Sequence, residues 1–287
     1  MKRYLLFVLR IAVPMSLVLN TGCWSSNEIE DVSVYVGLAI DVAQESKFEQ
    51  GIEKQGASYP KHNVLTATVQ IVPPVTGKGQ KQGGTSSEPS TAYINEKLTG
   101  DSLIQIFRQF SLRRDRPLIG HHLKVIVVSS ELAKRYSLEQ IFDFVLRDND
   151  IRPSCLVLVS HRNALESFST SEAGEIPAIY LAGLVKNRYR SNKIIPPVSL
   201  IKLDSRMQSG TSFLLQNVIT SENEHKFSGA GIFKGSTKKW IGELNEFDLE
   251  GLSWFSFDVI GGAVKTYAHE GYTITYEPKR SNSKIIP

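Results

Sequence analysis

The chain has 287 residues, 41% of them apolar and 22% charged, with 33 basic against 29 acidic side chains and only two cysteines. Such a composition belongs to a globular protein with ordinary cores, and its near-balanced charge leaves no electrostatic footprint for nucleic acid. Two cysteines exclude a disulfide framework and a thiolate metal site.

The first segment has a cationic head at Lys2 and Arg3, an apolar run over 4–19 broken by charge only at Arg10, and the small residues Thr21 and Gly22 directly before Cys23. This is the pattern of a secretory signal, not of a lasting transmembrane helix. A cysteine directly after a small residue at the end of such a segment is the acceptor for a diacylglycerol thioether. Residues 1–22 are therefore expected to be a lipoprotein signal peptide, and Cys23 the lipid-bearing (palmitate-type) N-terminus. Asn20 stands at the third position before the cysteine, where leucine is commoner, and Leu19 lies one place earlier. The signal contains three basic residues (Lys2, Arg3, Arg10) and no acidic one, which leaves 30 basic against 29 acidic residues in the mature chain. Beyond it no run of eighteen apolar residues occurs, so the body is not expected to span a bilayer.

Residues 23–31 read as a short polar stalk, with Trp24 placed to sit at headgroup level. Residues 32–42 are a strand rich in β-branched side chains, in which Gly37 permits close approach by a neighbouring element. Residues 44–62 are polar and read as a surface excursion, 63–72 alternate as a half-buried strand, and the glycine- and serine-rich 76–91 is a loop with little to bury. Helical spacing of Leu98, Leu103, Ile106, Phe107 and Phe110 predicts one helix over 95–113. Residues 123–128 are a buried strand. Residues 129–136 start a helix that 137–146 continues, with Ser137 as N-cap and Gln140 as its partner. Cys155 opens another apolar strand over 155–159, where an unpaired cysteine acts as a small buried hydrophobe and not as a catalytic thiol. Helical segments are expected at 163–168 and 177–189, and the two prolines in 192–199 mark a boundary. After it the texture changes to short strands at 212–219, 227–233 and 272–276, with one helix at 245–256. The expected class is α+β: a mixed α/β domain over 32–200 followed by a strand-rich domain over 201–287.

No catalytic constellation stands out. There is no G-x-S-x-G turn, and Gly77, Gly79, Gly83 and Gly84 lie in a polar tract without the lysine-serine ending of a phosphate loop. His121 and His122 precede a strand, where adjacent side chains alternate across its two faces, and no metal-ligand spacing joins them. No cofactor, metal or catalytic residue is expected. Two basic clusters, Arg113, Arg114 and Arg116, then Lys186, Arg188, Arg190 and Lys193, read first as solvated loops and second as contacts for anionic headgroups. Trp24, His122, Lys124, Phe233 and Trp240 form the candidate interaction surface. Phe233 and Trp240, with Leu244 and Trp254, equally suit the core of a small sheet and helix.

Three segments carry a resemblance. The first is Gly22, Cys23 and Trp24 followed by VGLAID at 36–41; the second is GHHLKVIVVSSELAK at 120–134 with LRDNDIRPS at 146–154; the third is FSGAGIFKG at 227–235 with WIGELNEFDLEGLSW at 240–254. In this order behind a lipobox they resemble the Ger(x)C family, the C-subunit lipoproteins of spore germinant receptors. The resemblance implies an extracytoplasmic, membrane-anchored lipoprotein in the inner membrane of the spore, working beside two integral membrane subunits in a complex that senses a small-molecule germinant. It implies no enzymatic chemistry and a mixed α/β, multi-domain build in a longer chain, so the second domain is expected to be partial. The alternative is a lipid-anchored extracytoplasmic solute-binding protein, which usually has two doubly wound lobes.

Overall fold

The computed structural model describes residues 1, 3–4, 31–73, 92–170, 172–256, 259–267, 273–281 and 283. The expected signal peptide, Cys23, Trp24 and the loop at 76–91 lie outside the described residues.

The architecture is α+β, built on one mixed sheet with the strand order β3-β2-β1-β5-β6-β7-β8-β9. Its centre is β1 (Ser33–Val42), β5 (Val125–Ser129), β6 (Leu156–Ser160) and β7 (Phe213–Ser221), each parallel to its neighbour. One flank is β2 (Leu65–Ile71) and β3 (Ile94–Gly100), and the other is β8 (Glu224–Phe233) and β9 (Trp240–Leu244), all antiparallel to their neighbours. The short β4 (Leu118–Ile119) pairs in parallel with the start of β1. Parallel partners need long crossovers and antiparallel ones only hairpins, so the helices concentrate on the faces of the centre. The β7–β8 hairpin turns on Glu222 (φ 53°) and Asn223 (φ 63°), both left-handed as a two-residue turn of this hand requires.

The boundary expected near residue 200 does not interrupt this sheet. β7 pairs with β6 at Val159↔Asn217 and Ser160↔Val218, so the strands of 213–244 belong to the same body as 33–160. The small β10 (Val264–Tyr267) and β11 (Thr273–Tyr276) form a separate two-stranded sheet.

Along β1 a register shift between Tyr35 and Gly37 changes which side chains face which layer. Tyr35, Leu38 and Ile40 face one core, while Val36 and Ala39 face the other. The first core is closed by α2 (Leu103–Phe110), α3 (Ser130–Arg135), α4 (Leu138–Arg147) and α6 (Leu200–Gln208). The second is closed by a 3-10 turn (Leu165–Phe168) and α5 (Pro177–Leu184). Close approach at Gly37 is real: a Cβ there would lie 2.7 Å from the Phe168 ring and 2.8 Å from the Ala178 methyl.

Several elements differ from expectation. Residues 95–100 of the expected helix belong to strand β3, and the helix starts only after Ser102, whose side chain accepts the Gln105 N–H. Tyr136 separates α3 from α4, and Ser137 caps α4 with Gln140 in the expected reciprocal box. The excursion at 44–62 contains α1 (Lys47–Glu53), capped by a Ser46–Glu49 box. α6 lies in the region read as almost purely strand. α7 (Glu246–Ser256) is where the pattern placed it.

Cys155 is 1% exposed and unpaired, and burial pushes its thiol up to about 12. A maleimide is expected to modify it roughly a thousandfold more slowly in the native protein than in denaturant, because access requires opening of the core. Equal rates would place the thiol at the surface.

Candidate functional site

Helices cover both faces of the parallel centre, so its accessible chemistry lies at the two ends of the strands. In open α/β sheets, ligands favour the carboxyl ends.

The carboxyl ends of β1, β5 and β6 open into a cavity of about 640 Å³, with Gln44, Ser130, Lys134, His161, Asn163 and Glu166 among its lining. A smaller hollow of about 390 Å³ shares Ser130, Lys134 and His161 and continues to Glu243. His161 Nδ1 lies 2.9 Å from Glu243 Oε2, which ties the loop after β6 to the edge strand β9. The same loop is held from below by Asp41, whose carboxylate accepts the Ala164 N–H at 2.6 Å and the Leu165 N–H at 3.0 Å. Ser130 Oγ donates to the His161 carbonyl at 2.7 Å, and Ser160 Oγ to the Asn163 carbonyl at 2.9 Å. Burial pushes the Asp41 carboxyl up to about 6, against the two N–H bonds that favour its charge. Asp41, the last residue of the first resemblance segment, thus acts on loop placement.

At the amino ends, His122 is exposed and Lys124 is half-buried. Lys124 lines a cavity of about 370 Å³ with Arg152, Ser154, Ser199 and Lys202. His121 Nε2 lies 3.8 Å from Asp150 Oδ1, away from any metal-like cluster. Among the described residues no group of three or more His, Cys, Asp or Glu side chains is placed to hold a metal ion.

Two further members of the candidate interaction surface, Phe233 and Trp240, are not together with these two. Phe233 is 0% exposed and Trp240 7% exposed, both in the main core. The register Phe233↔Trp240 turns both rings inward, and Trp240 meets Phe233 edge-on at 5.7 Å while Phe213 stacks on Phe233 at 5.4 Å. Burial removes both from a docking face. The third segment's glycines fit this packing: a Cβ at Gly231 would come within 2.1 Å of the Trp240 ring.

Of the basic clusters, Arg113 and Arg114 pair with Glu96, and Arg113 also lies 4.1 Å from the Phe48 ring centroid. Lys193 pairs with Glu246 at 3.2 Å and Glu250 at 3.8 Å. Arg113, Arg114 and Lys193, three of the seven cations, therefore join elements of the fold.

One cluster escaped sequence reasoning altogether. Lys61, its side chain 5% exposed, has carboxylate oxygens of Glu45 and Glu53 at 3.0 Å and of Glu49 at 3.6 Å. Burial opposes the Lys61 charge, but Glu53 and Glu45 outweigh it and hold the ammonium above its ordinary pKa. Glu49, 1% exposed, also accepts the Thr99 N–H of β3 at 2.7 Å. Part of the signal was present in the sequence: Glu49 and Glu53 stand four residues apart on one face of α1, and Glu45 lies just before its Ser46 cap.

A mixed-sheet α+β body with polar cavities at both ends of its parallel strands is the class of protein that this geometry defines. The chain belongs to the spore germination protein N-terminal domain family, whose model matches residues 25–220. It is 40% identical to spore germination protein YndF of Bacillus subtilis (strain 168) over 280 residues, covering 96% of this chain and 69% of that protein. To spore germination protein B3 of the same organism it is 26% identical over 269 residues, covering 93% of this chain and 65% of that one. Among solved structures it is similar to the crystal structure of the GerBC protein, with a TM-score of 0.45 and 24% identity over 74% of this chain and 58% of that chain. The chain spans about two thirds of the length of these curated relatives.

Proposed function

We propose that this chain is a non-enzymatic, lipid-anchored subunit of a spore germinant receptor, tethered through Cys23 at the extracytoplasmic face of the spore inner membrane. It works beside two integral membrane subunits in nutrient-triggered germination. The observation that carries the reading is family membership over residues 25–220, joined to a signal pattern that ends at Cys23. Among the described residues no helix is long and apolar enough to cross a membrane. Two or more acyl chains hold a protein stably, whereas one is marginal. The solute-binding alternative needs two lobes closing over a ligand, and 33–244 instead build one sheet.

Cys23→Ala is expected to leave the body folded, to abolish incorporation of labelled fatty acid and to remove stable membrane retention, leaving at most association that salt reverses. Equal labelling of variant and wild type would refute the anchor. Co-purification with the membrane subunits after gentle solubilisation tests the partnership, and a freely behaving wild type would count against it.

A further inference from the structure

Strand direction fixes which end of the molecule faces the anchor. β1, β5 and β6 run parallel, so their amino ends lie together, and β1 begins at Ser33, ten residues after Cys23. Those ten residues reach at most about 35 Å. The Lys124 N–H donates to the Val36 carbonyl at 2.8 Å, and the Leu156 N–H donates to the Lys124 carbonyl at 2.8 Å. Lys124 is thus only three residues along the strand from where the chain enters the sheet, roughly 10 Å.

The cavity at this end has an unusual charge balance for the molecule. Lys124, Arg152 and Lys202 line it together with Ser154 and Ser199, and among the described residues no carboxylate does. Several cations elsewhere are paired with carboxylates: Lys61 with three glutamates, Arg113 and Arg114 with Glu96, Lys193 and Lys226 with Glu246. Arg152 Nε donates to Ser154 Oγ at 2.9 Å, which orients the guanidinium and leaves its terminal N–H groups for a second partner. Lys202 Nζ donates to the Pro197 carbonyl at 3.4 Å, a long bond that leaves its other N–H groups for a ligand. Leu123, Leu156, Ala182 and Val185 supply an apolar wall beside these donors. A planar guanidinium fork, two ammonium groups and two hydroxyls match a tetrahedral oxyanion, and the wall suits the glycerol carbons attached to it.

We propose that this cavity binds the phosphate of an anionic phospholipid headgroup, with Lys124, Arg152 and Lys202 as its ligands. The site orients the body on the membrane, amino ends of the parallel strands toward the headgroups. The orientation rests on the reading of Cys23 as the anchor, whereas the phosphate chemistry does not.

The test uses the mature-length chain 23–287 without acylation, which retains every strand and helix described above. Sedimentation with phosphatidylcholine vesicles containing about 30% phosphatidylglycerol is compared with pure phosphatidylcholine. The wild type is expected to bind the anionic vesicles, and a variant carrying Lys124→Gln, Arg152→Gln and Lys202→Gln to bind roughly a hundredfold more weakly, at about a factor of five per cation. A charge-matched variant at Lys47, Lys54 and Arg108, exposed residues outside the cavity, is expected to bind as the wild type does. Matching urea midpoints for all three confirm that folding is not the cause. Equal binding of the cavity variant and wild type, or equal losses in both variants, overturns the proposal. So does protection of the wild type by soluble glycerol phosphate without vesicle binding, since the ligand is then a free phosphate. Failure of the anchor reading shows separately, as absent fatty-acid labelling at Cys23 with vesicle binding by 23–287 intact.

Discussion

Replacing Lys61 with methionine is expected to destabilise the fold by about 3–5 kcal/mol at neutral pH, the usual cost of removing one partner from a buried ion cluster. The ammonium is the shared counter-charge of Glu45, Glu49 and Glu53, and Glu49 cannot turn to solvent because it is 1% exposed and bonded to the Thr99 N–H and to Ser46. Methionine preserves the length of the side chain, so the loss reports charge and not a cavity. The pH dependence identifies the cause. Lys61 holds the Glu45 carboxyl below its ordinary pKa, so that stabilisation is present above the unfolded pKa and lost as pH falls through the folded one. The deficit of the variant should therefore be largest near pH 7 and shrink toward pH 4, where the orphaned carboxyls take up protons. Urea unfolding at the two pH values measures it, and a deficit independent of pH would assign the loss to packing alone.

Asp41 is expected to show the opposite sign. Its carboxyl titrates at about 6 in the fold, above the ordinary aspartate value, so its protonated form is the one that folding favours. That contribution is fully present below about pH 4 and is lost as pH rises through about 6. A shift of roughly two units corresponds to about 3 kcal/mol. Asp41→Asn keeps an oxygen for the Ala164 N–H but turns an amide N–H₂ toward Leu165, so it starts less stable than wild type in acid. Between pH 4 and pH 7 the gap should move by about 3 kcal/mol in favour of the asparagine variant, since only the wild type acquires a buried charge. Parallel stability profiles would show that Asp41 is not the titrating group. Asp41→Ala, which leaves both N–H groups of the loop unsatisfied, should instead be destabilised at every pH.

The buried elements were legible in the sequence because their chemistry is local. β1, β5 and β6 are apolar runs too short for helices, β2 shows its strand by alternation although all seven of its residues are buried and not half of them, and Ser137 with Gln140 announced α4 by its cap. Misreadings arose where tertiary pairing overrode periodicity. Leu98 falls in helical register with Leu103 and Ile106, yet it is buried from a strand because β3 pairs with β2 along its whole length. Ser102 held the correction, as a cap in the middle of the supposed helix. α6 was missed because its apolar positions, Leu200, Leu203 and Met207, are sparse in a charged segment that follows two prolines. Sequence texture reports strand content, whereas sheet membership depends on partners such as β6 and β7 that lie more than fifty residues apart, which is why one sheet continues past residue 200. Of the amino-end cavity, Lys124 was named from the sequence within the candidate interaction surface, whereas Arg152 and Lys202 line it because the β5–β6 and β6–β7 crossovers pass the same edge of the sheet.

The strand order also has a kinetic side. β1 lies between β2, its near neighbour in the chain, and β5, which begins only at Val125. Synthesis delivers β1 with apolar side chains on both faces long before its parallel partner exists, and β6 and β7 follow later still. Loop-closure entropy must then be met before most of the core forms, which favours slow, late and concerted collapse. During that interval the nascent chain displays an unpaired strand edge, a state prone to self-association. A holding chaperone that covers residues 33–42 until Ser160 has been made would therefore raise the yield of the folded protein more than one acting on the chain after synthesis is complete.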